Sequence, residues 1–277
     1  MVKINQIWIQ GIDHLRRTQP EFYSYLQLWK VLFPNCEHKL WSEKDYLPLI
    51  EEYSKDLLAI YNSAPSFACK CDIARLVILY SQEGANLYVD TDYEPFRNFE
   101  YLINDPSINL AIVAMNLCKS KIFFGNYRYS NAWIYAKGGC SYLKVMLNRI
   151  IAHPYNSSKY SAFKYTWNIT GPNGLTTVVK ELDLIHCDDV RILPHSMIEV
   201  AAFPNTVTAT ASKAEILKTH PFAVGVHRMN ASWMKWAFVY KQFGRIYSFY
   251  NDWDDFIIIG FISTSFILLF LLFYLRV

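Results

Sequence analysis

An excess of charge of one sign is the first thing this sequence lacks. Its 277 residues carry 27 Lys+Arg against 24 Asp+Glu, a formal charge of +3. No Lys/Arg stripe is present to neutralise a phosphate backbone, which argues against a dedicated nucleic-acid binder. Charged residues make up only 18% of the chain and hydrophobic ones 52%, which excludes the composition of a disordered chain. The six cysteines, Cys36, Cys69, Cys71, Cys118, Cys140 and Cys187, form no CxxC pair and no zinc spacing, so they read as free, mostly buried thiols. Nor is there an HExxH, an internal repeat or a low-complexity linker. Asn5 and Gln6 interrupt the apolar N-terminus, which excludes the unbroken core of a secretory signal and leaves a first strand.

What the chain does have is one long apolar run. Residues 256–274, FIIIGFISTSFILLFLLFY, carry no charge, and at the helical rise they span about the ~30 Å of a hydrocarbon layer. Tyr247, Phe249, Tyr250 and Trp253 precede the run and Tyr274 closes it, the order of an interfacial aromatic belt. The reading is a domain over 1–250 and a juxtamembrane segment with a transmembrane helix over 251–277. Orientation is left open, and the sequons at Asn156, Asn168 and Asn230 matter only if the domain is lumenal.

Within the domain, apolar runs alternate with helical patterns. Lys3–Gln10, Glu37–Trp41, Asn86–Asp90, Leu110–Met115, Val190–Leu193 and Ile198–Val200 read as strands. Glu21–Val31, Phe67–Glu83, Gly138–Ala152 and Pro172–Leu182 read as helices. This alternation predicts an α/β sheet with helices on both faces.

The chemistry concentrates where one strand runs out, at Asp90-Thr91-Asp92. Ligands of open α/β sheets collect at the carboxyl ends of strands. Two hard oxygen donors there suit Mg²⁺ or Mn²⁺, with further oxygens drawn from a bound diphosphate. A surface turn would use the same residue types. Upstream, Asp72 and Arg75 are three apart on one helix face, a spacing that a surface salt bridge also has.

The run Asp72-Ile-Ala-Arg75-Leu-Val-Ile-Leu-Tyr80 … Gly84-Ala-Asn-Leu-Tyr88-Val-Asp90-Thr-Asp92 resembles the SDxxRxxxLxxxGGxYxDxD core of the DXD-containing sugar transferases, which include yeast outer-chain initiating and inositol-phosphoceramide mannosyltransferases. Asn5-Gln-Ile-Trp8-Ile is similar to that family's opening HQIWIG, Thr170-Gly171-Pro172 to its TGP, and His227…Ser232-Trp233 to its closing HxxxxSW. Asn5, Cys71 and Ala85-Asn86 depart from the pattern. The resemblance implies a Rossmann-like GT-A fold and a membrane-anchored, retaining glycosyltransferase. It implies a nucleotide-diphosphate sugar (GDP-mannose or a UDP-sugar), a hexose with mannose favoured, and Mn²⁺ or Mg²⁺. The acceptor would be a lipid or glycan, with a sphingolipid favoured, in an endomembrane such as Golgi or ER.

Carried over residue by residue, Asp90, Asp92 and His227 would hold metal, and Asp72, Arg75, Asp90 and Asp92 would be catalytic. Trp8, Asp72, Arg75, Tyr88, Asp90, Ser232 and Trp233 would bind the donor. Two other readings stay open: an inactive transferase-like binding protein, and an aspartyl-phosphate phosphotransferase.

Overall fold

The computed structural model describes residues 1–115, 128–200 and 210–228. The chain enters through β1 (Val2–Ile7), turns at Gly11 into α1 (Ile12–Thr18) and α2 (Pro20–Leu32), and returns through β2 (Glu37–Trp41). Helices α3 (Glu43–Tyr53), α4 (Lys55–Asn62) and α5 (Phe67–Ser81) then lead into β3 (Ala85–Val89) and the short β4 (Tyr93–Pro95). Strand β5 (Leu110–Met115), the ten-residue β6 (Arg128–Lys137), α6 (Ser141–Ala152), α7 (Pro172–Glu181), β7 (Val190–Pro194), α8 (Lys213–Thr219) and β8 (Gly225–His227) complete it.

Among the described residues the main sheet runs β2-β1-β3-β6-β5-β7, and β4 pairs with β8 in a separate ladder. Strands β1, β2 and β3 are mutually parallel, as are β5 and β7, while β6 runs antiparallel to both neighbours. The sheet is therefore mixed, and β6 begins at the rim where its neighbours end. Two apolar cores follow from the pleat, which sends alternate side chains to opposite faces. Tyr88, Leu110, Ile112 and Ile134 pack against α3 to α7. Leu87, Val89, Ala111, Val113 and Trp133 pack on the other face against Trp29, Phe33 and Phe99. Each fully buried Leu, Ile, Val or Phe among them contributes roughly 1.5–3 kcal/mol.

Helix α5 carries the site and is buried over most of its length, from Asp72 through Leu79. It starts where the sequence places it: Ser66 Oγ accepts from the Cys69 N–H at 3.1 Å, the expected N-cap bond. Gly84, at φ 80°, turns the chain into β3. The neighbouring Gly138 packs on that turn so closely that a Cβ would meet the Gln82 carbonyl oxygen at 2.1 Å.

Several expectations are corrected. Ile198–Val200 is not a strand. A helical turn spans His195–Ile198, and its carbonyls are taken individually, Ile198 O by the Tyr93 hydroxyl at 2.5 Å and Met197 O by the Val224 N–H at 2.8 Å. The helix expected from Gly138 starts at Ser141, because Gly139 at φ 72° is outside helical space. Strand β6, with Tyr135, Ala136 and their neighbours buried on both faces, offers no alternation to read. Cys36, Cys69 and Cys140 are buried free thiols, and Cys71 and Cys187 are half-buried ones; Cys118 lies outside the described residues.

Among the described residues no helix is long and apolar enough to cross a membrane. The expected span over 256–274 lies outside them, as do Ser232 and Trp233.

Candidate functional site

Asp90 is the first residue past β3. Its N–H donates to the Ala132 carbonyl at 2.9 Å, and its own carbonyl accepts from the Tyr93 N–H at 3.1 Å. That tight turn sends Asp92 straight into β4. There the ladder pairs Tyr93 with His227, and the Arg228 N–H donates to the Asp92 carbonyl at 2.9 Å. Two residues 135 positions apart are thus brought side by side. His227 Nε2 lies 3.1 Å from Asp92 Oδ1 and 3.8 Å from Asp90 Oδ2. One ligand atom from each of Asp90, Asp92 and His227 falls within 4.8 Å of the other two, close enough for a single cation.

The donor set fits a divalent ion: two carboxylate oxygens and one imidazole nitrogen, all half-buried, with room left for oxygens from a ligand. Burial opposes the charged imidazole, but the Asp92 carboxylate, its hydrogen bond, and the charges of Glu199 and Asp90 push the His227 pKa up to about 10. Without a metal, an imidazolium supplies the positive charge between the two aspartates.

Asp72 and Arg75 do not form a surface pair. Both are buried, and Arg75 Nη2 lies 3.1 Å from Asp72 Oδ1 and 3.4 Å from Asp90 Oδ1. Asp72 also accepts from the Asn131 amide at 2.8 Å and the Thr170 hydroxyl at 2.9 Å. A carboxylate has about four acceptor positions, so little more than one stays open on Asp72. Burial raises its carboxyl to about 6, against the opposing pull of Arg75 and Thr170. Arg75 further donates from Nε to the Cys71 carbonyl at 3.4 Å and from Nη1 to the Asn131 carbonyl. Most of its donors are spent inside the protein, so it braces the two carboxylates from below.

Tyr88 joins the same network. Its hydroxyl donates to Asp90 Oδ1 at 2.7 Å, and the Arg75 guanidinium lies 4.6 Å from its ring centroid. Trp8 follows β1 at the same rim, half-buried, with its indole N–H donating to His14 Nδ1 at 3.0 Å. The Asn5 side chain points elsewhere: its Oδ1 accepts from the Trp41 indole at 2.9 Å. Asn86 ties the opposite end of β3 to the Gln82 and Gly84 carbonyls. Both of these departures from the family pattern sit away from the aspartates.

Four residues of the site, Ser130, Asn131, Ala132 and Glu199, were not singled out from the sequence. Strand β6 pairs Ile134 with Ile112 but Ser130 with Val113, so residues 131–133 form a bulge. The bulge presents the Asn131 amide to Asp72 and the Ala132 carbonyl to Asp90. Ser130 donates to Glu199 Oε1 at 2.7 Å. Glu199 is 1% exposed, and burial raises its carboxyl to about 7 in spite of the His227 charge and the Ser130 bond. Thr170 belongs to a segment read from the sequence, and the close approach of the next residue to the Thr166 carbonyl explains the glycine there: a Cβ on Gly171 would meet Thr166 O at 2.5 Å.

Residues 7–109, which include Asp72, Arg75, Asp90 and Asp92, match the family described as the glycosyltransferase sugar-binding region containing the DXD motif. The protein is a glycosyltransferase. No curated protein is significantly similar to this glycosyltransferase in sequence. Among solved structures, it is similar to a glycosyltransferase involved in glycosylation of the major capsid of PBCV-1, at 11% identity over 88% of this chain and 98% of that one, with a TM-score of 0.40. It is also similar to mouse xyloside xylosyltransferase 1, at 8% identity over 84% and 100% of the two chains, TM-score 0.45. A third is the galactosyltransferase LgtC in complex with donor and acceptor sugar analogs, at 11% identity over 84% and 88%, TM-score 0.43. The mixed α/β sheet, with its acidic pair at the end of β3, is in keeping with the Rossmann-like GT-A expectation.

Proposed function

We propose that the glycosyltransferase transfers a hexose, mannose by preference, from a nucleotide-diphosphate sugar to a lipid or glycan hydroxyl, with retention at the anomeric carbon. The observation that carries the reading is the convergence of Asp90, Asp92 and His227 within 4.8 Å, above the buried Asp72–Arg75 pair. A bound Mn²⁺ or Mg²⁺ would stabilise the negative charge that gathers on the departing diphosphate. The imidazole favours Mn²⁺ over the all-oxygen preference of Mg²⁺.

In this reading the anomeric carbon breaks its bond to the diphosphate oxygen and forms one to the acceptor oxygen, and the hydroxyl proton leaves with the nucleoside diphosphate. Asp72 accepts a hexose hydroxyl on its remaining acceptor position and fixes the ring. Arg75 and Tyr88 hold Asp72 and Asp90 in place. Trp8 sits on the nucleoside side of the site, and Ser232 and Trp233 act on the diphosphate. Residues 1–250 form the transferase domain, and the apolar run at 256–274 anchors it in an endomembrane, which brings lipid acceptors such as an inositol sphingolipid within reach.

The test is hydrolysis and transfer by the full chain with GDP-mannose, UDP-glucose, UDP-galactose and UDP-N-acetylglucosamine, with Mn²⁺, with Mg²⁺ and with chelator. Turnover of at least one donor only with metal is expected. Asp92→Asn should lower it ~10²–10³-fold, as removal of a preorganised electrostatic partner does. Equal turnover with chelator, or none with any donor, rejects the reading.

A further inference from the structure

Along the rim, β1 lies on one side of β3 and β6 on the other. Under the reading above, Trp8 and the nucleoside take the β1 side. On the β6 side stands a group that no part of the donor chemistry uses. Arg128 opens β6 at the rim, opposite Met115 at the end of β5, and its guanidinium lies 5.8 Å from the Trp167 ring centroid. Trp167 stacks on Phe163 with centroids 6.1 Å apart and planes 11° from parallel, and Phe163 is 37% exposed.

Both ends of this stack are tied to the donor pocket. Arg128 lies three residues before Asn131 and Trp167 three before Thr170, and these two residues donate to opposite oxygens of Asp72. One turn of chain from Thr170 is about 5 Å and three strand residues from Asn131 about 10 Å. The stack is therefore within a sugar ring or two of the proposed hexose position.

Among the described residues Arg128 also has no acidic partner. Of the chain's 24 acidic residues, all but Asp252, Asp254 and Asp255 are described, and none of the described ones pairs with Arg128. Burial pulls the guanidinium below its ordinary value with nothing opposing it. A partly desolvated cation that rests, among the described residues, on an aromatic ring keeps a fork of N–H donors to spend on a ligand.

We propose that Arg128, Trp167 and Phe163 form the acceptor subsite, and that its occupant is a neutral saccharide ring. The ring's C–H face packs on the exposed flank of the aromatic pair, and the guanidinium donates to two neighbouring hydroxyl oxygens. This rests on the donor reading, because it is the nucleoside on the β1 side that leaves the β6 side to the acceptor.

The experiment uses the full chain in detergent micelles, with the donor and metal that give turnover. Donor hydrolysis is measured without saccharide, and transfer is measured to octyl α-mannoside, octyl β-glucoside and octyl β-galactoside. Wild type is expected to glycosylate at least one of them. Trp167→Ala and Arg128→Met should each lower the transfer-to-hydrolysis ratio about tenfold, the scale of one lost ring or fork contact. Trp167→Phe should recover most of it. A fold defect would lower hydrolysis and transfer together, so the ratio separates the two. An unchanged ratio in both variants, a parallel fall of both activities in all three, or a wild type that hydrolyses donor yet glycosylates none of the saccharides overturns the subsite. A wild type without metal-dependent hydrolysis overturns the donor reading itself, and the assay without saccharide shows which has failed.

Discussion

At the scale of single residues, this site places ionisable groups where water is scarce. Glu199 shows the consequence most directly, being buried with Ser130 as its hydrogen-bond donor. Burial raises its carboxyl from 4.5 to about 7. A carboxyl whose native value lies above its unfolded one binds a proton more tightly in the native state. Ionising it therefore costs the fold, with no cost below about pH 4.5 and the full cost above about pH 7. At 1.36 kcal/mol per unit the difference is on the order of 3 kcal/mol. Glu199→Gln keeps the Ser130 bond and removes the charge. In metal-free protein the variant should match wild type near pH 5 and gain on it steadily up to pH 8 in denaturant unfolding. A constant difference across that range would mean that Glu199 does not titrate within it. The cost is tolerable because Glu199 adds to the negative field that holds His227 charged.

At the scale of elements, what was legible in the sequence depended on whether an element carries its own signal. Helix α5 has a cap, an apolar period and a terminating glycine, β5 is an apolar run, and β2 follows the Pro34-Asn35 turn, so these were read nearly to the residue. Asp90 and Asp92 were legible because they end such a run. Strand β6 was not, since a central strand buried on both faces has no alternation and its bulge breaks what pattern remains. With β6 went Asn131 and the tie to Glu199. The β4–β8 ladder was hidden for another reason: three-residue strands carry almost no local signal, and their pairing is made by contact across the whole domain.

That ladder holds His227, and a glycine sets how closely its strands approach. A Cβ on Gly225 would meet the Tyr93 ring at 2.4 Å. Tyr93 is buried with its hydroxyl fixed on the Ile198 carbonyl, so the ring has nowhere to go. Gly225→Ala should cost about 1–3 kcal/mol, the range for overpacking a filled core. It should also weaken Mn²⁺ binding by displacing β8, both readable from melting curves with and without the ion. A variant that melts like wild type and gains as much from Mn²⁺ would show that the ladder can open without moving His227.

At the scale of the molecule, the candidate metal site is a long-range staple. Asp92 follows the first three parallel strands, while His227 closes a ladder reached only after β5, β6, β7 and helices α6, α7 and α8. A cation shared by Asp90, Asp92 and His227 would bind the closed ladder and not the opened one, so it would lower the open population by the factor 1 + [ion]/Kd. With Mn²⁺ at a hundred times its Kd, backbone amides that exchange by local opening of β8, Val226 and His227 among them, should exchange about 100-fold more slowly. Helix α5 should gain much less wherever its exchange occurs by smaller local motions that leave the site closed. Asp92→Asn should remove most of the protection at β8 and leave α5 as it was. Hydrogen exchange read by mass spectrometry on peptides covering 213–228 and 67–81 decides it. Equal slowing of both peptides would mean that the ion stabilises the whole domain against global unfolding, and no slowing would mean that the three side chains do not share a cation. The selective outcome would give the two short strands their purpose: they bring a late histidine to an early acidic pair, and the ion keeps it there.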